Sequence, residues 1–286
     1  SFDKIYSGKI MVLTKTDDYE TLYRQFQWEI PEHFNMGIDV CDKNAVNTPE
    51  KLALIVVEPG KQTISYTFLH LKRLSNKLAN LFKSHRLDRG ERVGILMGQS
   101  LEVAISHIAA WKIGAISIPL FTLFGEDALR FRLKDSQAKL LVTDTDNLPK
   151  IEAIRDDLPH LKLIIVVNQK VDDGDQIDFW KGMEEASDAF TPVNTLSEAP
   201  AFICYTSGTT GNPKGALHAH RTMFGHLTGM EMFHDFIPKK GDRMWTPADW
   251  AWVAGLMNCL MCSWHHGVTN VAYRARKYDP EEALRL

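Results

Sequence analysis

The sequence predicts an α/β fold of mostly parallel sheets flanked by helices, and three observations carry that prediction. From about residue 50 onward, apolar runs of strand length alternate with amphipathic runs of helix length. The strand runs LALIVV (52–57), RVGILM (92–97) and KLIIVV (162–167) are apolar almost throughout, as strands covered on both faces are. The helical runs keep one apolar stripe: Leu71, Leu74, Leu78, Leu81 and Phe82 recur at three- and four-residue steps. Strand, crossover helix and strand again is the unit from which parallel sheets are built.

Taken in order, 52–57 and QTISY (62–66) are strands, and TFLHLKRLSNKLANLFKSH is the first long helix. RVGILM is followed by a helix over LEVAISHIAAWKIG, whose end is marked by Gly114. AISI (115–118) is a strand, EDALRFRLKDS a helix, KLLVT a strand, LPKIEAIRDDL a helix and KLIIVV a strand. Residues 168–200 lack strong periodicity and are expected to form a surface connection. A second series then opens with AFICY (201–205) and continues with a helix over HRTMFGHLTGMEMF. The working division is therefore residues 1–200, a first α/β subdomain with an entry segment, and 201–286, the start of a second.

Composition narrows the function classes. Hydrophobic residues at 44% and charged residues at 24% are the balance of a globular chain. A formal net charge of −3 without a long Lys/Arg block argues against a dedicated nucleic-acid binder. No apolar run reaches the ~18 residues of a membrane span, and SFDKIYSGKIMVLTK lacks the apolar core of a signal peptide. The four cysteines are too few for a disulfide scaffold, so a reducing, cytoplasmic compartment is expected. Cys259 and Cys262 form a CxxC inside GLMNCLMCSW, where i,i+3 spacing on an apolar helix face predicts core packing, not metal or redox chemistry. His218, His220, His226 and the His265–His266 pair lack a settled ligand spacing and are assigned to packing or helix surfaces. Glu126, Asp127 and Asp135 are assigned to a helix start and to the surface. Neither a metal ligand set nor a catalytic acid–base pair is assigned anywhere in the chain.

At the carboxyl end, DPEEALRL begins as a capped helix, with Asp279 as the cap and Pro280 in the first turn. It stops after barely two turns, too short to be stable alone in water. Residue 286 is therefore expected to be a cut through a longer protein.

The chemistry concentrates in YTSGTTGNPKG (205–215). Glycines permit close backbone approach, Thr and Ser hydroxyls donate to phosphate oxygens, and Lys214 adds one compact charge. Placed between the AFICY strand and the next helix, such a loop suits a triphosphate. It is not a Walker A loop, because Lys214 follows Pro213 and precedes Gly215.

The order of residues in TSGTTGNPKG (206–215) resembles, without a mismatch, the phosphate-loop signature of the adenylate-forming, AMP-binding superfamily. The resemblance extends to LKRLSNKLANLF, AAWKIGAISIPL, FTLFGEDALRFRL and RMWTPADWAWVAGL, and covers most of residues 30–286. WEIPEHFNMGIDV (28–40) is similar to the entry segment of medium-chain acyl-CoA synthetases, and the acetyl-CoA synthetase group is the same kin.

The resemblance implies ATP-dependent activation of a carboxylic, fatty-type acid to acyl-AMP, followed by transfer to CoA, with Mg2+ on the phosphates. It places Thr206, Ser207, Gly208, Thr209, Thr210, Gly211, Asn212, Pro213 and Lys214 around the triphosphate. It places Asp249, Trp250 and Trp252 at the acyl pocket, although Trp250 and Ala251 depart from the family's smaller residues there. The family's Tyr-Gly-x-Thr-Glu segment, ribose aspartate, hinge and mobile carboxyl-terminal domain with its lysine are absent from this sequence. The 286 residues alone are therefore expected to be inactive. Two alternatives stay open: another adenylate-forming ligase, such as a peptide-synthetase adenylation domain or a luciferase-like protein, or a non-catalytic nucleotide-binding module.

Overall fold

The structure, a computed structural model, describes residues 11–169, 174–206, 211–273 and 279–286. An amino-terminal segment carries the short helix α1 (Tyr19–Gln25). A π-helical turn, Ile38–Asp42, then runs into α2 (Lys43–Asn47). The strands β1 (Leu52–Val57) and β2 (Ile64–Thr67) pair antiparallel. Helix α3 (Phe68–Ser84) follows at once, because Thr67 and His70 form a reciprocal capping box that satisfies its first free N–H groups.

The predicted alternation then appears as β3 (Arg92–Leu96), α4 (Leu101–Lys112), β4 (Ile116–Leu120), α5 (Glu126–Asp135) and β5 (Leu140–Asp144). The helix expected over 148–158 is shorter: α6 (Leu148–Glu152) ends and a 3-10 turn, Arg155–Asp157, continues the chain. After β6 (Leu163–Val167), the supposed bare connection holds β7 (Gln176–Asp178) and α7 (Phe179–Glu184). Both are short, so neither shows a countable period; the cap of Asp178 on Lys181 N and the burial of Phe179 and Met183 hold them.

A second departure follows β8 (Pro200–Thr206). The chain does not pass directly to a helix but returns as β9 (Lys214–Ala219), antiparallel to β8, before α8 (Thr222–Phe233). KGALHA escapes the strand reading because β9 is a largely exposed edge strand with little apolar alternation. The remaining elements are β10 (Arg243–Met244), a π-helical segment Ala254–Met261 leading into α9 (Cys262–His265), β11 (Thr269–Tyr273) and α10 (Pro280–Arg285). Asp279 caps α10 through Glu281 N and Glu282 N, with Pro280 in its first turn, as expected.

The strands form two sheets. The larger has the order β7-β6-β5-β3-β4-β8-β9 and is parallel except for the last pair. The smaller has the order β10-β11-β1-β2, with β1 parallel to β11 across more than two hundred residues of chain. The sheets thus interleave along the sequence, and β8 and β9, beyond residue 200, complete the sheet that β3 begins.

One core joins both sheets: Ala53, Leu54 and Ala272 from the smaller meet α3, α4 and Val93, Ile95 and Phe202 from the larger. The other face of the larger sheet is covered by α5 and α6 through Leu129, Leu133 and Ile151. Cover on both faces is what the unbroken apolar strands demand.

Candidate functional site

Parallel strands present their carboxyl ends on one edge, and there the chain opens a cleft of about 1020 Å³. The turns after β3, β4, β5 and β6 bring Gln99, Phe121, Asp144 and Asn168 to it. Asp144 is buried and accepts from the backbone N and the Nδ2 of Asn147 at 3.0 and 2.8 Å. Lys150 Nζ donates to Thr122 O at 2.5 Å, which joins the turn after β4 to the start of α6.

The other wall is the segment 246–252. Gln99 holds it: Nε2 donates to Thr246 O and Ala248 O at 3.0 and 2.8 Å, and Oε1 accepts from Tyr273 N on β11. A turn closed by Trp252 N donating to Asp249 O presents Asp249 and Trp252 to the cleft. Gly255 permits the turn to lie flat, since a Cβ there would stand 2.4 Å from Asp249 O. Burial pushes the Asp249 carboxyl above its ordinary pKa, against the opposing hydrogen bond from Ala251 N. Trp252 is 44% exposed and leans on Phe121, ring centroids 5.4 Å apart.

Trp250 is a correction. Two residues away on the same turn, it points the opposite way and lies in the core at 1% exposure, not in the cleft. A residue type that suits both a pocket and a core gives no signal of its direction from spacing alone.

The described ends of the glycine–hydroxyl stretch, Thr206 and residues 211–214, stand at the same edge of the sheet, because β8 runs parallel to β4. Thr206 ends β8 and pairs with Lys214, which begins β9. Both are exposed, as are Gly211 and Asn212, with Pro213 half-buried. Gly211 has φ +131°, a conformation other residues rarely adopt. Ser207, Gly208, Thr209 and Thr210 lie outside the described residues. Lys214 is exposed at the start of β9 and forms no ion pair among the described residues. A hydroxyl, a glycine and an exposed ammonium on one hairpin form a donor set suited to a phosphate group.

Glu126, Asp127 and Asp135 are exposed, whereas the singled-out cysteines and His220, His265 and His266 are buried. Cys259 and Cys262 are buried, with Cys262 Sγ 3.9 Å from Met223 Sδ, and burial pushes the Cys259 thiol up to about 12. His220 is buried and its Nδ1 accepts from Met36 N at 3.2 Å; His226 pairs with Asn258 at 2.5 Å. His265 lies 2.6 Å from Asp39, which also meets Lys43 at 2.7 Å. Those three line a second cavity, of about 610 Å³, whose lining includes Phe26 and Trp28 of the amino-terminal segment. Sequence reasoning did not find this cluster, since His265 stands more than two hundred residues from Asp39 and Lys43. Among the described residues no group of His, Cys, Asp and Glu has metal-holding geometry, and no helix is long and apolar enough to cross a membrane.

Comparison with known proteins gives the following. Residues 41–286 match the family model described as AMP-binding enzyme. The chain is 32% identical over 275 residues to an acetyl-coenzyme A synthetase of Bacillus subtilis, covering 92% of this chain and 47% of that one. It is 28% identical over 278 residues to the mitochondrial acyl-coenzyme A synthetase ACSM3 of Mus musculus, covering 93% and 47%. In fold it is similar to the anthranilate CoA ligase AuaEII, solved in complex with anthranoyl-AMP, at TM-score 0.80 and 26% identity, covering 89% and 48%. The chain spans about half the length of the curated relatives it matches.

Proposed function

Because the chain belongs to the AMP-binding enzyme family, we propose that the protein carrying it is an AMP-forming acid–thiol ligase. It joins a carboxylate, of fatty type, to CoA at the expense of ATP. A carboxylate oxygen attacks the α-phosphorus of ATP, pyrophosphate leaves, and the CoA thiolate then displaces AMP from the acyl carbon. The single observation that carries this reading is the β8–β9 hairpin, with Thr206, Gly211 and Lys214 exposed, at the same carboxyl edge of the parallel sheet as the cleft of Asp249 and Trp252.

In that reading Thr206 through Lys214 hold the triphosphate, and Lys214 offsets its charge as the pyrophosphate forms. Such fixed donors lower a barrier because they need no reorganisation when charge develops. Magnesium arrives on the nucleotide's phosphates and supplies further charge stabilisation there. Asp249 and Trp252 line the place of the acyl group, and Phe121 supports Trp252. The protein is further proposed to work in the cytoplasm.

Carboxylate-dependent ATP–pyrophosphate exchange, followed by thioester assay with CoA, tests the reading. Exchange with one of a panel of aliphatic and aromatic acids is expected from the protein, and none from residues 1–286 alone. Absence of exchange with every acid, despite measurable ATP binding, would instead favour the non-catalytic module.

A further inference from the structure

The last residue before the phosphate loop's first hydroxyl is held from outside the loop. Tyr205 is 6% exposed, and its hydroxyl donates to Asp135 Oδ2 at 2.6 Å, with Arg132 O 3.2 Å away. Both partners belong to the end of α5. The ring is also caged: the Arg132 guanidinium stands 5.6 Å from its centroid while lying 4.0 Å over Phe124, and Phe131 meets it edge-on at 6.4 Å.

The hydroxyl-bearing end of the same ring also lies over the other arm of the hairpin. Tyr205 pairs across the sheet with Gly215, and a Cβ on Gly215 would lie 3.2 Å from Tyr205 Cζ. A side chain at Gly215 would crowd both Ile203 Cγ2, at 3.0 Å, and the tyrosine ring. One side chain thus touches both arms, beside Thr206 on β8 and beside Lys214 on β9, and ties them to α5.

We infer that Tyr205, anchored by Asp135, is the positioning residue that orients the base of the phosphate loop, and with it Thr206 and Lys214, toward the triphosphate. The inference rests on the function proposed above. Asp135, exposed as the sequence reading assigned it, supplies the acceptor and is half of the device.

The physical need is clear. β9 is an edge strand, paired on one side only, and a two-stranded ribbon at a sheet edge twists more freely than central strands do. Phosphate contacts are directional, and a displacement near 1 Å can cost about a hundredfold in rate. A phenol–carboxylate hydrogen bond anchored in a helix removes that freedom without occupying any phosphate-facing donor. Burial, with the Asp135 carboxylate beside it, pushes the Tyr205 phenol above its ordinary pKa, so it remains a donor.

Tyr205→Phe deletes only the hydroxyl and is the direct test, read by ATP–pyrophosphate exchange and by calorimetric titration with ATP. The ATP KM and Kd are expected to rise about tenfold, which is ~1.4 kcal/mol, while the carboxylate KM stays unchanged and the thermal midpoint moves little. Asp135→Ala should reproduce this, Asp135→Asn, which keeps an acceptor, should rescue most of it, and Tyr205→Phe with Asp135→Ala should add nothing further. An unchanged ATP KM and Kd in Tyr205→Phe overturns the inference, as does a loss shared equally by both substrates and tracking a fall in thermal midpoint. Lys214→Ala separates the two levels: if it weakens ATP use and Tyr205→Phe does not, only the positioning role falls. If Lys214→Ala also leaves ATP use unchanged, the loop reading falls with it.

Discussion

Lys112 Nζ lies 2.7 Å from Asp42 Oδ2 in a core where the side chains are 0% and 6% exposed. The same ammonium donates to Ser75 Oγ and Asn76 Oδ1 at 2.9 and 2.8 Å. Three elements, the π-helical turn, α3 and the last turn of α4, are therefore fastened at one point behind the larger sheet. Lys112→Met removes the nearer cation and leaves the buried carboxylate only the more distant Lys72 Nζ, at 3.9 Å, an expected cost of ~3 kcal/mol. Combining it with Asp42→Leu should recover much of the loss, because the pair's desolvation cost disappears with it. Urea denaturation of the single and double variants measures both. Equal midpoints for wild type and Lys112→Met would show that the pair holds nothing.

Lys214→Ala should weaken carboxylate-dependent pyrophosphate exchange ten- to hundredfold. Loss of a hydrogen bond from a charged group is worth ~1.5–3 kcal/mol, and each ~1.4 kcal/mol is a factor of ten in rate. Lys214 is exposed, so the fold should not suffer. Exchange kinetics at saturating and limiting ATP read the effect.

The two tryptophans of the cleft turn should separate cleanly. Trp250→Ala opens a cavity in the core and should cost ~3–5 kcal/mol of stability. Trp252→Ala, at the cleft surface against Phe121, should leave the thermal midpoint nearly unchanged and alter the preference among carboxylates. Midpoints and a carboxylate panel run on both variants decide it; the reverse pattern would exchange their roles.

Acid should destabilise the protein through two buried histidines. Burial lowers the pKa of His107 and of His220 to about 3 in each case. Between that value and ~6.5, where a free imidazole titrates, the unfolded chain binds a proton that the native state refuses. Stability is therefore full above ~6.5 and falls as pH drops toward 3, by about 1.4 kcal/mol per pH unit for each histidine. His107→Gln should flatten the slope of stability against pH in that window. An unaltered slope would mean that His107 accepts its proton in the folded state.

Where the sequence was legible, a single period or a contiguous motif carried the information. The stripe of α3 and the apolar runs of β3 to β6 repeat within a few residues, so local patterning suffices. The elements that escaped are short or half-paired. β7 has three residues, α7 six, and β9 shows water most of its length, so burial leaves little pattern to read. Asp135 illustrates a different limit: nothing in EDALRFRLKDS says that its last carboxylate receives a phenol from seventy residues onward.

By itself, the sequence determined the parallel α/β architecture, the glycine–hydroxyl loop as its chemical centre, and family kinship through TSGTTGNPKG. These follow from short-range periodicity and from backbone chemistry that only certain residues permit. Tertiary structure alone decided that β1 pairs with β11, that Trp250 turns inward while Trp252 faces the cleft, and that Tyr205 ties both arms of the loop to α5. Each of these joins groups distant in sequence or chooses between two faces of one turn. That choice is made by what else must be buried, a property of the packed core rather than of any local segment.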